Sequence, residues 1–353
     1  MINYFTLEQE KEWDNYVKSF SEYDVYYLSG YVKPFKIHGD GEPILLYYKE
    51  KGIKGMNVVM KRDISMDARF TNIIDSNYMF DLATPYGYGG WFFESNNDEF
   101  KDAVCFGSEY ETWCREKGIV SEFVRFHPIT TNYNQRLNSI YDIVKLGHTV
   151  TITLDSEDNI WSRFTSKNRG HIRKAIKEGV EVRIENTQKA FAIFQEIYKS
   201  TMTHDNAEDY YYFDNEFFES MYRNTQDCQL IFTAYLDETP IASSIFMYAG
   251  TRLNYHLSGQ LFEYRKYSGT SLILYEAAKW GCENGFKTLH LGGGLGAGND
   301  ALYTFKKSFA AKEEDTVFCI GRKVFDEEKY EYLVGLREET PETDFFPLYR
   351  GGK

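Results

Sequence analysis

A chain of 353 residues is too long for one small core, so two domains are expected. With 42% hydrophobic and 17% aromatic residues and only 7 prolines, its composition is that of a folded protein. A net charge of −13 excludes a uniformly basic nucleic-acid-binding surface, so any contact with RNA or phosphate must be local.

No run approaches the ~18 apolar residues of a membrane helix, and the start, Met1-Ile2-Asn3-Tyr4-Phe5-Thr6-Leu7-Glu8, does not read as a signal peptide. Five scattered cysteines with no Cys-x-x-Cys point to a reducing compartment. A cytoplasmic location is therefore expected. The histidines show no metal-ligand spacing, so no metal is expected. The 29 Tyr and 27 Phe are enough to build cores and also to line a groove for sugars, peptides or bases.

In chain order, Leu7 to Phe20 reads as a helix. Pro43 to Lys49 and Lys54 to Lys61 read as a hairpin around Glu50-Lys51-Gly52, and Pro85-Tyr86-Gly87-Tyr88-Gly89-Gly90 as a glycine-rich turn. A helix from about Glu99 to Lys117 leads into a strand from Val120 to Phe126, which His127-Pro128 stops. The second half begins with a helix from about Asn159 to Lys177, a strand from Val180 to Ile184 and a helix from Gln188 to Met202. Strands follow at Gln229 to Leu236, Pro240 to Tyr248 and Arg252 to Ser258. A turn at Tyr264 to Gly269 opens a helix to about Asn284, and Lys287 to Leu291 is again a strand.

That last strand runs into Gly292-Gly293-Gly294-Leu295-Gly296-Ala297-Gly298 and then a short helix that Asp300 can cap. At about 100° per residue, Leu302, Phe305 and Phe309 form one apolar stripe of this helix. Lys306 falls at the stripe's edge, half-buried beside bare backbone, and Lys307 points to water. Such a lysine suits a carboxylate, a phosphate or a developing oxyanion.

Two segments are alike: Trp113-Cys114-Arg115-Glu116-Lys117-Gly118-Ile119 and Trp280-Gly281-Cys282-Glu283-Asn284-Gly285-Phe286. Each ends a helix at a glycine and enters a strand. With the repeated element order, this predicts two copies of one α/β unit, residues 1–150 and 151–353, joined near Gly147 to Asp158 with a cleft between. The run Gly292-x-Gly294-x-x-Ala297 matches a loose dinucleotide fingerprint, but it comes late in the chain and its helix is short.

Antiparallel strands, a turn opening a helix and a further strand resemble the order of the GNAT acyltransferase core. The expected fold class is thus α/β (α+β), two tandem GNAT-like domains, each a mixed and mainly antiparallel sheet flanked by helices. The chain further resembles the Fem family of peptidoglycan-bridge aminoacyltransferases and related double-GNAT proteins over nearly its whole length. The residues that carry this are Pro85-Tyr86-Gly87-Tyr88-Gly89-Gly90, Arg125-Phe126-His127-Pro128, Ser166-Lys167-Asn168-Arg169 through Ile172-Arg173-Lys174-Ala175, Tyr255-His256-Leu257-Ser258, Leu291-Gly292-Gly293-Gly294 and Phe305-Lys306-Lys307-Ser308-Phe309. The resemblance implies transfer of an amino acid from aminoacyl-tRNA to an amine of a nucleotide- or lipid-linked cell-envelope precursor. It implies a functional role for Lys306 at the transfer centre; some Fem enzymes carry a long helical-hairpin arm in the second domain, for which this sequence leaves no room. Fem ligases tend to carry Asp-Pro where this chain has His127-Pro128.

GNAT enzymes hold coenzyme A on a turn of the type Arg/Gln-x-x-Gly-x-Gly/Ala. The corresponding run is Arg265-Lys266-Tyr267-Ser268-Gly269-Thr270, with Ser268 and Thr270 at the two small positions. This favours a donor other than coenzyme A and no cofactor. The other reading of the run is an ordinary helix start capped by Ser268 or Thr270.

Further candidates are set by type and place. Asn168 sits on the inward face of a basic helix and Arg169 at its border, suiting phosphate. Lys33 and Lys36 flank Pro34-Phe35 and could bind an acceptor diphosphate. Arg125 ends a buried strand, where a charge makes an ion pair or a ligand contact. His127 could be a general base for the attacking amine. Tyr86 and Tyr88 could contact the acceptor, Tyr212 a cleft wall, and Ser258 with Gly292, Gly293 and Gly294 the transfer centre. Two other functions stay open: acetyl-CoA- or other acyl-CoA-dependent N-acylation of an envelope sugar, and a non-catalytic double-GNAT scaffold.

Overall fold

Gly118 and Gly285 close their helices at φ of 69° and 78°, left-handed backbone that glycine adopts without strain. These matching helix ends belong to two units of a computed structural model. It describes every residue except 51, 96–102, 131, 133–136, 138, 338–344 and 352–353. One unit comprises Met1–Glu22, Tyr26–Leu146 and Phe318–Lys353; the other comprises Tyr23–Val25 and Gly147–Val317.

In the first unit the elements are β1 (Ile2–Phe5), α1 (Glu10–Lys18), α2 (Ser29–His38), β2 (Glu42–Glu50), β3 (Ile53–Asp63), β4 (Phe80–Ala83), β5 (Phe92–Ser95), α3 (Ala103–Glu116) and β6 (Ile119–Arg125). β1, β2, β3 and β4 pair antiparallel in turn, β5 adds to β3, and β4 pairs parallel with β6. Lys51, at the tip of the expected hairpin, and the expected helix start at 99–102 lie outside the described residues.

The second unit contains most of β7 (Asp142–Thr153), then α4 (Glu157–Arg163), α5 (Ser166–Lys177), β8 (Glu181–Glu185), α6 (Gln188–His204), α7 (Asn215–Asn224), β9 (Gln229–Leu236), β10 (Thr239–Ala249), β11 (Arg252–Gln260), α8 (Gly269–Glu283), β12 (Thr288–Gly292) and α9 (Ala301–Lys307). β8, β9, β10 and β11 pair antiparallel in turn, β11 pairs parallel with β12, and β12 antiparallel with β7. The chain then returns to the first unit with β13 (Thr316–Val324), antiparallel to β6, and α10 (Glu327–Gly335).

The two strand orders, β1-β2-β3-β4-β6-β13 and β8-β9-β10-β11-β12-β7, repeat one sequence of pairings. A crossover helix, α3 or α8, precedes the parallel strand each time, as a parallel connection requires. The expected second half, 151–353, differs at its tail. The first unit takes its last strand, β13, from the C-terminal end, burying Phe318, Cys319 and Ile320. Tyr349 and Arg350 then reach the buried Asp81, through the tyrosine hydroxyl and the arginine Nε. Conversely, the fully buried Asp24 belongs with the second unit, where it accepts from Arg252 Nε at 2.9 Å and Asn254 Nδ2 at 3.0 Å.

The core of the second unit gathers Phe232 and Phe246 from the sheet, Leu272, Ile273 and Ala277 from α8, Leu289 and Leu291 from β12, and Ile172 and Ala175 from α5. The single helix expected over 159–177 is two. Phe164 is extended at ψ 145°, and Thr165 restarts the helix by accepting from the Asn168 amide at 3.2 Å.

Candidate active site

β12 carries the site. Its register against β7 shifts between His290 and Gly292, and Gly292 turns at φ 76° to launch the glycine loop. At Gly293 a Cβ would stand 2.9 Å from the His148 carbonyl oxygen, and at Gly294 it would overlap the Gly298 carbonyl and the Asp300 carboxylate. Gly293 is thus needed for the loop to pass β7, and Gly294 for it to fold onto its own residues, beyond any approach to a ligand.

Asp300 closes the loop and opens α9. Its carboxylate accepts from Leu295 N at 2.6 Å and from Tyr303 N at 2.8 Å, an N-cap that also pins the loop. These amides hold its pKa below the usual carboxylate value. Phe309 is buried as expected, but Leu302 is 37% exposed.

Lys306 is 9% exposed, and its ammonium donates to the Gly293 carbonyl at 2.7 Å. Burial pushes its pKa down to about 8, with Asp300 pulling the other way. Among the described residues no carboxylate lies within ion-pair distance of it. A near-neutral pKa and two unspent N–H bonds make Lys306 a donor aimed at whatever lies beside the loop. Lys307 is not in water. It is half-buried, paired with Asp315 at 2.7 Å and donating to the Glu313 carbonyl at 2.6 Å.

Asn168 lies one turn into α5, whose start is tied to the end of α9 by Thr165 N donating to the Ser308 carbonyl at 2.9 Å. It is 3% exposed, and its Nδ2 is buried with no hydrogen-bond partner among the described residues. Arg169 is committed locally, donating to the carbonyls of Phe164 and Trp161 at the end of α4. Ser258 shares a 2.8 Å hydrogen bond with Ser244 across β10 and β11. Next to it, β11 holds an extra residue, His256, where the register shifts. Burial pushes the His256 imidazole down to about 3, so it is neutral. The sequence reading used His256 only as part of a motif; no spacing rule reveals a bulge. Tyr212 is exposed, and its hydroxyl donates to the Met202 carbonyl at 3.0 Å.

In the first unit, Tyr86 stacks on Phe35 at 5.6 Å, and Tyr88 is 8% exposed against His127 and Phe318. Arg125 ends its strand exposed rather than buried. Its Nε donates to the Gly87 carbonyl at 2.9 Å and its guanidinium lies 5.2 Å from the Phe318 ring. Lys33 pairs with Glu10, and Lys36 with Glu42 at 2.7 Å, so neither stands as an idle diphosphate ligand. His127 is fully buried, and its Nδ1 accepts from the amides of Ile129 and Thr130. The ring braces its own turn, a placement that an incoming amine does not reach.

The turn before α8 tests coenzyme A. Ser268 is left-handed at φ 57° and makes no side-chain cap. The acceptor at this helix start is Gln260. Its Oε1 accepts from the Thr270 hydroxyl at 2.7 Å and faces the Thr270 amide at 3.4 Å. Gly269 is small because α8 packs down on β9 and β10, where a Cβ would meet Ala242 and Ala234 at 3.2 and 3.3 Å. A pyrophosphate would take such helix-start amides; here Gln260 already faces the one of Thr270. Among the described residues no cluster of three or more His, Cys, Asp or Glu could hold a metal. No described helix is long and apolar enough to cross a membrane.

Residues 162–307, from the end of α4 through Lys307, match the family model described as acetyltransferase (GNAT) domain. In structure, the chain is similar to FemX, at a TM-score of 0.69 and 14% identity over 94% of this chain and 99% of that one. The chain has the double-GNAT fold of FemX. A conserved protein from Bacteroides thetaiotaomicron is also similar (TM-score 0.57, 10% identity, 92% of this chain and 100% of that one). So is the C-terminal domain of a candidate lysylphosphatidylglycerol synthetase from Agrobacterium fabrum (TM-score 0.54, 12% identity, 89% and 91%). No curated protein matches in sequence. The second unit of this Fem-like chain thus carries a GNAT acyltransferase domain, and the candidate site sits inside it.

Proposed function

We propose that this acyltransferase moves an aminoacyl group from aminoacyl-tRNA to an amine of a peptidoglycan or other cell-envelope precursor. The observation that carries the reading is Lys306, a buried ammonium held on the Gly293 carbonyl with two N–H bonds unspent. The amine nitrogen attacks the ester carbonyl carbon of the donor. The carbonyl oxygen gains negative charge, which the Lys306 ammonium stabilises. The bond to the terminal ribose oxygen then breaks, and the proton shed by the amine ends on that oxygen. Asn168, with its buried unpartnered amide, is a further donor contact in this scheme.

Acyl-CoA as donor is the competing reading, since GNAT domains are built for it. The Gln260 oxygen at the start of α8 speaks against it. Donor binding separates the two. Purified protein titrated with charged tRNA should bind it and ignore acetyl-CoA at millimolar concentration. Binding of acetyl-CoA alone would replace this reading with N-acylation.

A further inference from the structure

Ion pairs hold some of the cations of this acidic chain. Lys54 pairs with Glu94, Arg62 with Asp81, Arg115 with Glu111, Arg163 with Asp155, Arg252 with Asp24 and Lys329 with Asp326. On α5 cations gather without acids. Its sequence, Ser166–Lys177, holds Lys167, Arg169, Arg173, Lys174 and Lys177 and not one Asp or Glu. Beside it runs the 3-10 turn Phe262–Tyr267, to which α5 is tied by Lys174 Nζ donating to the Lys266 carbonyl at 3.1 Å. Among the described residues, none of Lys167, Arg173, Lys174, Lys177, Arg265 and Lys266 pairs with a carboxylate, and all six are exposed. Glu178 and Glu263 are the nearest acids in sequence.

The same face carries flat aromatic surface. Phe262 is 43% exposed, with the Arg265 guanidinium 4.1 Å from its centroid and the His204 ring stacked on it at 4.0 Å. Arg173 lies 5.2 Å from the Trp161 ring and Lys266 5.1 Å from that of Tyr267. Unpaired cations next to aromatic planes are what single-stranded and end-stacked nucleic acid uses. From Lys167 to Lys177 the helix rises about 15 Å, longer than one diphosphate, so the charge spacing suits a run of phosphodiesters.

We propose that α5 and the Phe262–Tyr267 turn form a docking face for an RNA backbone. That the RNA is the donor tRNA rests on the aminoacyl-transfer reading above. Each cation that meets a phosphate releases counterions and adds about one to the slope of log affinity against log salt.

The test is fluorescence anisotropy of a labelled, deacylated tRNA acceptor minihelix with the full chain at several salt concentrations. The triple variant Arg173→Gln/Lys174→Gln/Lys177→Gln should bind roughly tenfold or more weakly, and its salt slope should fall by about three. Arg265→Gln/Lys266→Gln, on the other element, should lose about two from the slope. Lys11→Gln/Lys18→Gln on α1 should bind as wild type. Equal losses in the α1 control, unchanged binding in both site variants, or binding of anionic phosphatidylglycerol vesicles but not RNA would each overturn the proposal. Because the probe carries no amino acid, the readings fail separately. Correct RNA docking without transfer sinks the function alone, and transfer with undiminished RNA binding by the triple variant sinks the docking face alone.

Discussion

The Lys306 ammonium and the Gly293 carbonyl oxygen lie 2.7 Å apart, and this one bond joins the last turn of α9 to the loop that β12 launches. The lysine therefore does two things: it steadies the loop and presents the rest of its charge beside it. Burial depresses its pKa to about 8, so at neutral pH most molecules carry the proton.

The acidity of Lys306 sets a pH limb. Transfer that depends on its ammonium should fall as pH rises through about 8. Stability should move the opposite way. A base whose pKa drops from 10.5 to about 8 on folding resists protonation in the folded state. The cost, about 3 kcal/mol for that shift, is full below pH 8 and relieved as pH climbs toward 10.5. Lys306→Met should remove both effects, as chemical denaturation at pH 7 and 9.5 would reveal.

Glu122 gives a second titration with a known sign. It is fully buried, accepting from Tyr141 at 2.7 Å, Tyr110 at 2.9 Å and Asn57 Nδ2 at 3.0 Å, and burial raises its pKa to about 7. A carboxyl whose pKa rises on folding loses stability as pH climbs from 4.5 to 7, and the loss stays complete above. Glu122→Gln keeps the shape without the charge, and a turn of the Asn57 amide, which now donates to Glu122, would offer its unpartnered Oδ1 to the new NH2. The variant should be more stable than wild type by about 2 kcal/mol at pH 8 and level with it near pH 4.5. Equal stability at both pH values would contradict this.

Asp24 anchors a three-residue segment on the second unit through Arg252 and Asn254. Asp24→Ala strands a buried guanidinium, so unfolding free energy should drop by about 3–5 kcal/mol. Adding Arg252→Met should recover much of that loss. A double variant as unstable as the single would show the charge is not what matters.

Gln260 should govern the start of α8. Gln260→Ala removes the acceptor for Thr270 and should cost about 1 kcal/mol. Isothermal titration of Gln260→Ala/Thr270→Gly with acetyl-CoA should give measurable heat where wild type gives none. Detectable acetyl-CoA binding by wild type would mean the oxygen moves aside at little cost.

The repeated unit was legible because it rests on local signals: the paired helix-ending segments at Gly118 and Gly285 and the repeated order of elements. Lys306 and the loop were legible for the same reason, since helical periodicity puts the lysine at the edge of core. What the sequence hid is non-local. β13 completes a sheet whose other strands lie in the first 125 residues, and Asp24 folds with a unit that begins at 147. Helix α2 is masked by Pro34 inside it. Gln260 falls outside every predicted element, and its cap on Thr270 depends on how β11 meets α8. Arg125 looked buried from its strand, but it sits at the end where the sheet stops covering it.

The most direct measurement is single-turnover transfer of a radiolabelled amino acid from charged tRNA to a cell-envelope precursor peptide, comparing wild type with Lys306→Met. Circular dichroism confirms that the variant is folded. The account predicts transfer by wild type and a loss of about 10²–10³ in rate for the variant, the range for one oxyanion donor. Equal rates in the two proteins would contradict it.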